Sequence, residues 1–382
     1  MTTGSGLITS YDNTTPQKVQ ITDRIILADP YDITTITSLG LNNESKFQFV
    51  NMPGRSYAWL EDAYPAVSGK FNDSDLSSST STVSLTVTSQ EVANLLHIGD
   101  VIYVDTEPMQ VTSIVTTAIT VTRNYGTFLA SSLSHDTSST FYIRYNARVE
   151  GADSTASPWT EVSSGTNYST ILHKEVNISR DDQLFPNYGV ADLLKYRITQ
   201  NMDILMEQLD KLPYYGVRYA GTSALGRSTG GFSTFITTNA TAMSSGALTR
   251  AAIDAEFIQI HAAGGKTDLI LCDAWGQKKI NDFYEGFVST GRDESIGGIL
   301  IKTLMHPITG SLVKVVVDRH CPSGSMYILD TRYVGYLTID PFFYETLAKH
   351  GDSEKGETIG EYGFVAAANK FHSILSGYSV TA

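Results

Sequence analysis

The chain has 382 residues, 41% of them hydrophobic and 18% charged, with a formal net charge of −13 at pH 7. That acidic balance, without any Lys/Arg cluster, excludes nucleic-acid binding through a basic surface. Two cysteines, Cys272 and Cys321, are too few for a disulfide framework and lack metal-finger spacing, and no basic, apolar leader or membrane-length apolar run is present. The expectation is a soluble protein made in a cytoplasm, with no membrane contact. The length is ample for about two to three domains.

Residues 1–50 read as an extended arm, rich in Gly, Asn, Thr and Pro. Their apolar residues (Ile25, Ile26, Ile33, Ile36, Leu39) are too scattered for a private core, so the arm would be ordered by lying on its own body or on a neighbour. Segment 47–71 is aromatic-rich and alternates like a strand around Pro53-Gly54. From 76 to 145 the composition turns to Ser, Thr and Val. Val83, Leu85 and Val87 alternate with Ser and Thr, and strands follow at 101–104, 109–115, 119–122 and 140–145. This reads as a small all-β module inserted between elements that belong together, with 147–178 as an extended return.

The longest helical period runs from Val190 to Leu212, between Gly189 and Pro213. Leu194, Ile198, Met202, Leu205, Leu209 and Leu212 recur at steps of four and three and form one apolar, core-facing stripe. Lys195, Thr199, Asp203, Glu207 and Asp210 fall mostly on the other side. A Gly/Ser/Thr-rich passage over 221–247 reads as a long, flexible surface connection. Thr249 would cap a helix carrying Ile253, Phe257 and Ile260 and stopped at Gly264-Gly265. A buried strand at 268–272 follows, then a helix capped by Asp273 and running to Glu285, then strands at 299–304, 312–317, 326–329, 334–339 and 364–368. The fold class is α+β.

No motif carries catalysis. Gly265-Lys266-Thr267 lacks the upstream glycine of a phosphate loop and has its helix before its strand rather than after. Gly226 to Gly231 has no following helix to supply a dipole. His320 and Cys321 are adjacent, so on a strand they would point to opposite faces, and Pro322 opens a turn. Asn72 to Asp75 has acidic spacing but no glutamate at the twelfth position of a calcium loop. No catalytic residue, metal site or cofactor is expected.

The order of these pieces carries a resemblance. So do Asp318-Arg319 closing a valine-rich strand, the Pro322–Gly324 turn, Ile328–Asp330, Ala348–Asp352 and Glu361. The chain resembles the major capsid (major head) proteins of tailed bacteriophages, in the large branch formerly listed as a domain of unknown function. That resemblance implies an HK97-like phage capsid fold with the small all-β domain inserted. Its map is an arm at 1–50, an extended loop at 51–180 holding the insertion at 76–145, a peripheral domain at 181–220 and 341–382 with the spine helix 190–212, and an axial domain at 221–340. It implies hexamers and pentamers of an icosahedral shell around double-stranded DNA held without sequence-specific contact. Separate scaffolding, portal and decoration proteins would be its partners, and the virion capsid, assembled in host cytoplasm, its location. No charged, helix-rich segment precedes the arm, so a fused scaffolding domain is not expected. Some such proteins join a loop Lys to a peripheral Asn with a Glu as base. By region, the candidates here are Lys70, Lys174, Asn369 and Glu361, and non-covalent contacts are expected because neither Lys stands in an apolar neighbourhood. The alternative is a tail-fibre or adhesion protein using the β module for binding.

Overall fold

A computed structural model describes residues 31–41, 54–72, 82–129, 132–136, 138–152, 158–184, 190, 192–284, 288–289, 295–296, 299–300, 302–349 and 351–381. Most of the expected arm (1–30 and 42–50), most of the acidic Asn72–Asp75 turn and Glu285 lie outside these residues. The chain divides into two units, Met1–Trp59 with Gly165–Ala382, and Leu60–Ser164.

The larger unit is built on Leu269–Cys272, a run of four fully apolar residues and therefore a strand buried on both faces. It pairs parallel with Leu312–Val317 and antiparallel with Ser325–Leu329. The full sheet has seven strands, in the order Ala240–Ala242, Ser373–Ser376, Ser325–Leu329, Leu269–Cys272, Leu312–Val317, Lys302–Met305 and Val288–Ser289. Side chains alternate across it. Ile270 and Cys272 meet the helices Arg250–Ala263 and Ala274–Phe283 through Phe257, Ile260 and Ile280. Leu269 and Leu271 face a second core with Leu209, Tyr214, Phe232 and Phe364. Both helix starts are capped as the sequence predicts: Thr249 accepts from the Ala252 amide and Asp273 from the Gly276 amide. Gly264, at φ 93, ends the first helix in the left-handed region where a Cβ is disfavoured.

A second sheet of the same unit has three strands, Val334–Thr346, Ser353–Ala366 and Thr170–Ser179, all antiparallel. It is longer than the sequence suggests. The strand expected at 334–339 continues to Thr346, and the one expected at 364–368 begins at Ser353 and ends at Ala366. Charged and polar residues interrupt the apolar alternation there, so only the buried ends were legible. The strand Ser56–Glu61 pairs with Ser163–Tyr168 where the chain leaves and re-enters this unit.

The unit Leu60–Ser164 is a six-stranded antiparallel sheet, ordered Ser68–Lys70, Thr140–Asn146, Asp100–Val104, Glu107–Val115, Ala118–Arg123 and Thr82–Thr86. Its two outer strands meet. Phe71 bridges Val87, the Asn72 amide donates to the Thr86 carbonyl at 2.8 Å, and the Thr88 amide donates to that of Lys70 at 3.1 Å. The sheet thus closes on itself as a barrel and leaves no long edge open to another chain. Alternate residues of Ala118–Arg123 point inward, and Ile102, Met109, Ile119, Val121 and Phe141 are fully buried. The module boundary expected at 76 is too late: Ser68–Phe71 belongs to the barrel. Ser-Gly-Lys has no alternation to announce a strand, and it is the closing geometry that makes it one. Glu107-Pro108, just ahead of the strand expected at 109–115, already belongs to it.

The region 221–247 is corrected most. Rather than a surface connection throughout, it places Thr229, Gly230, Gly231, Phe232 and Ile236 in the interior, with a short helix at Phe232–Phe235. Gly231 lies so close to Pro213 that an added Cβ would stand 2.2 Å from its carbonyl oxygen. Glycine here serves close approach, not mobility.

Candidate functional site

The long helix spans Leu193–Tyr215, roughly 35 Å at 1.5 Å per residue. Asp192 caps it by accepting from the Lys195 amide at 3.1 Å. It passes through Pro213, which the sequence placed outside it. In the last turn a proline forfeits only one ladder bond, and the Gly216 amide closes the end on the Leu212 carbonyl at 2.8 Å. Of the apolar stripe, Leu205 and Leu209 are fully buried, while Leu194, Ile198, Met202 and Leu212 are half-buried. Asp210, assigned by periodicity to the polar side, is fully buried instead.

The reason is the short helix Thr34–Leu39, within the described part (31–41) of the expected arm. Ile36 and Leu39 join the core of their own unit, so this segment does have cover within the chain. The Ile36 amide donates to Asp210 Oδ1 at 2.8 Å. Thr35 Oγ1 donates to Asp318 Oδ2, and the Tyr214 hydroxyl donates to the same oxygen at 2.8 Å. Asp318 Oδ1 takes the His320 amide at 2.7 Å. Asp203, Glu207 and Asp210, spaced four and three apart, share the face under this segment. Burial and the Asp318 charge push the Asp210 carboxyl up to about 8, against the pull of the Ile36 amide.

A second buried cluster joins the pair Ser56–Glu61 and Ser163–Tyr168 to the three-stranded sheet. The Tyr57 hydroxyl donates to the Phe364 carbonyl at 2.8 Å and accepts from its amide at 2.7 Å. Asn167 donates to Thr229 Oγ1 and to the carbonyls of Gly230 and Phe364, and accepts from the Gly230 amide. Burial raises the Tyr57 phenol well above its usual range, so it stays a neutral donor. Isolated Tyr, Asn and Thr residues gave no sequence signal for this cluster.

In the barrel unit, Glu107 is fully buried among donors. Arg123 reaches Oε1 through Nε at 3.1 Å and Oε2 through Nη2 at 2.7 Å. His135 Nε2 lies 2.8 Å from Oε2, and the Asn124 and Leu133 amides donate at 3.2 and 3.1 Å. A cleft of about 650 Å³ opens elsewhere in this unit, lined among others by His97, Asp100, Gln110, Asn146 and Arg148. Several of its polar groups are already engaged: Asp100 accepts from the His97 amide and from Asn146, both at 2.7 Å, and Gln110 donates to the Ala147 carbonyl.

Of the expected cross-link residues, Lys174, Glu361 and Asn369 belong to the larger unit and are not gathered there, and Lys70 belongs to the barrel unit. Lys70 is exposed on the barrel strand Ser68–Lys70. Lys174 stands opposite Thr358, roughly 26 Å along the strand from Ala366 at 3.3 Å per residue. Asn369 lies beyond that end and is occupied: Oδ1 accepts from the Thr237 and Thr238 amides, and Nδ2 donates to Thr237 Oγ1. Glu361 is paired with Arg227 at 2.5 Å. His320 and Cys321 form no nucleophile–base pair. The His320 ring donates to the Asp32 carbonyl at 3.1 Å, and burial pushes the Cys321 thiol up, far from a thiolate. Among the described residues no His, Cys, Asp and Glu group could hold a metal ion, and no helix is long and apolar enough to cross a membrane.

What the surface does offer is uncovered apolar area on the segments flanking the barrel strands. Leu60, Tyr64, Val149 and Trp159 are 77%, 97%, 76% and 81% exposed. Single exposed apolar residues are ordinary; these four are the most open large apolar residues among the described ones, and all lie on segments flanking the barrel strands.

Comparison with known proteins gives this surface its context. No curated protein matches the chain. Among solved structures, the capsid of Myoviridae phage XM1 is 11% identical, covering 98% of this chain and 100% of that one at a TM-score of 0.50. The capsid of a native GTA particle is 8% identical over 98% and 100%, at 0.52. A structure from Mycobacterium phage Adephagia is 11% identical over 99% and 100%, at 0.50. Identities this low carry the fold alone, and the fold is the HK97-like phage capsid fold. The model of the SU10 major capsid protein family matches residues 6–379, nearly the whole sequence, and the chain belongs to that family.

Proposed function

We propose that this major capsid protein self-assembles into the icosahedral head of a tailed phage, as hexamers and pentamers around double-stranded DNA. The role is structural, not enzymatic. The observation that carries the reading is the open apolar surface of Leu60, Tyr64, Val149 and Trp159 on extended segments. Area of this kind is stabilised when a neighbouring copy covers it, at about 25 cal/mol per Å², so folding and assembly are coupled. In the map that the resemblance suggests, 1–50 is the arm and 51–180 the loop that reaches a neighbour. Residues 181–220 and 341–382 form the peripheral part and 221–340 the axial part. The net charge of −13 leaves packaged DNA free of tight contact with the wall.

Subunits are held non-covalently, since the Glu361 carboxylate and the Asn369 amide are already engaged within their own chain. Scaffolding, portal and decoration functions fall to separate proteins, and assembly takes place in the host cytoplasm before the chain becomes part of the virion. The tail-fibre alternative is not favoured by family or fold. Electron microscopy of the purified chain tests the proposal. Hollow shells or flat hexameric sheets are expected, and elongated trimeric particles would refute it.

A further inference from the structure

Asp210 and Asp318 are both buried where the short helix Thr34–Leu39 meets the long helix, and their surroundings are unequal. Three donors converge on Asp318: Thr35 Oγ1, the Tyr214 hydroxyl and the His320 amide. Asp210 Oδ1 receives the Ile36 amide, and Asp210 Oδ2, equally buried, has no hydrogen-bond partner among the described residues. Of the two, Asp210 is therefore the acid that holds a proton.

The remaining groups add negative charge rather than relieve it. The arm segment presents Tyr31 and Asp32, and the long helix presents Asp203, Glu207 and Tyr214. Cys321 and Tyr336 face the same carboxylates with weak acids of their own. The nearby cations are engaged elsewhere or turned away. Lys211 lies 3.5 Å from Glu207, the His320 ring donates to the Asp32 carbonyl and stands 3.9 Å from Glu207, and Arg319 is exposed.

We propose that the Asp210–Asp318 pair is a proton-operated latch, which seats the arm helix Thr34–Leu39 while Asp210 is protonated and releases it when Asp210 ionises. A second buried anion beside Asp318, with no cation to meet it among the described residues, is relieved most simply by lifting the arm helix and admitting water. The short helix is the element that moves, because its Ile36 amide and Thr35 hydroxyl make the contacts to the two acids. The rise of the Asp210 carboxyl to about 8 places the change just above neutral pH. The latch is internal to one subunit and does not rest on the shell proposed above.

Hydrogen exchange of the unassembled full chain, corrected for the intrinsic pH dependence of exchange, tests it. Protection of the Ile36 amide and its neighbours is expected to be constant to about pH 7, then to fall about tenfold per pH unit above 8. Asp210→Asn keeps the shape and removes the charge, so its protection should stay level from pH 6 to 9.5. Asp318→Asn, a second and independent variant, should move the midpoint downward by removing the neighbouring anion. Level protection in the parent chain overturns the latch. So does an unshifted midpoint in Asp318→Asn, or an unchanged pH response in Asp210→Asn.

Discussion

Glu107 in the barrel unit and Asp210 on the long helix are both fully buried, yet their carboxyls are driven in opposite directions. Burial raises both. Around Glu107 the hydrogen bonds of Arg123 and His135 and of the Leu133 amide outweigh that penalty and hold the carboxyl below its usual value. Around Asp210 the backbone amides of Ile36 and Thr35 do not offset burial and the charges of Asp318 and Asp32, and the carboxyl rises. Donors and cations, not burial, decide which buried acid is charged. The barrel thus holds a permanent ionic brace, and the arm seat holds a group that changes state near neutral pH.

The two carry opposite pH signatures. Glu107, lowered when folded, contributes stability that is present above its unfolded value of 4.5 and lost as pH falls through the folded value. Asp210, raised when folded, contributes stability that is complete below 3.8 and lost as pH rises through about 8.

Substitutions can break this contrast. The largest effect is expected where an acid is added with neither donor nor cation. Leu205→Asp, in the fully buried part of the long helix, should cost about 3–5 kcal/mol or prevent soluble expression. An unchanged melting temperature would show that this face is not core. Arg123→Met removes the cation from a buried pair and should cost nearly as much, about 3 kcal/mol, because Glu107 stays behind. Thermal melts should show the loss shrinking in the double variant Arg123→Met/Glu107→Gln. A smaller loss, about 1–2 kcal/mol, is expected for Tyr57→Phe, which strips a neutral hydroxyl from the amide and carbonyl of Phe364. Its cost should not vary between pH 5 and 9, since no charge is involved.

The same contrast explains what the sequence disclosed. The all-β character of the barrel unit was legible because Val, Ile and Thr alternate along short strands whose inward residues make one local core, but its closure was not. Its first strand was missed, because Ser68–Lys70 is defined only by the partners that close the barrel. The long helix was legible from its period, but not which polar residue it buries. Asp210 goes inward because the arm helix, some 170 residues earlier, lies on it. Thr229 to Phe232 looked like linker because Gly and Thr suit loops and close packing alike, and only Asn167 and Pro213 across the fold distinguish the two. The family resemblance, carried by motifs in the second half, supplied the architecture that periodicity could not.

The central claim is that apolar segments left open by one chain are covered by the next. Electron microscopy and light scattering of the purified chain, beside the Tyr64→Ser/Trp159→Ser variant, test it most directly. Both residues are exposed, so the variant should keep the parent's melting temperature as a subunit. Hollow shells are expected from the parent chain, and unassembled subunits from the variant. Shells of equal yield and stability from the variant would contradict the claim.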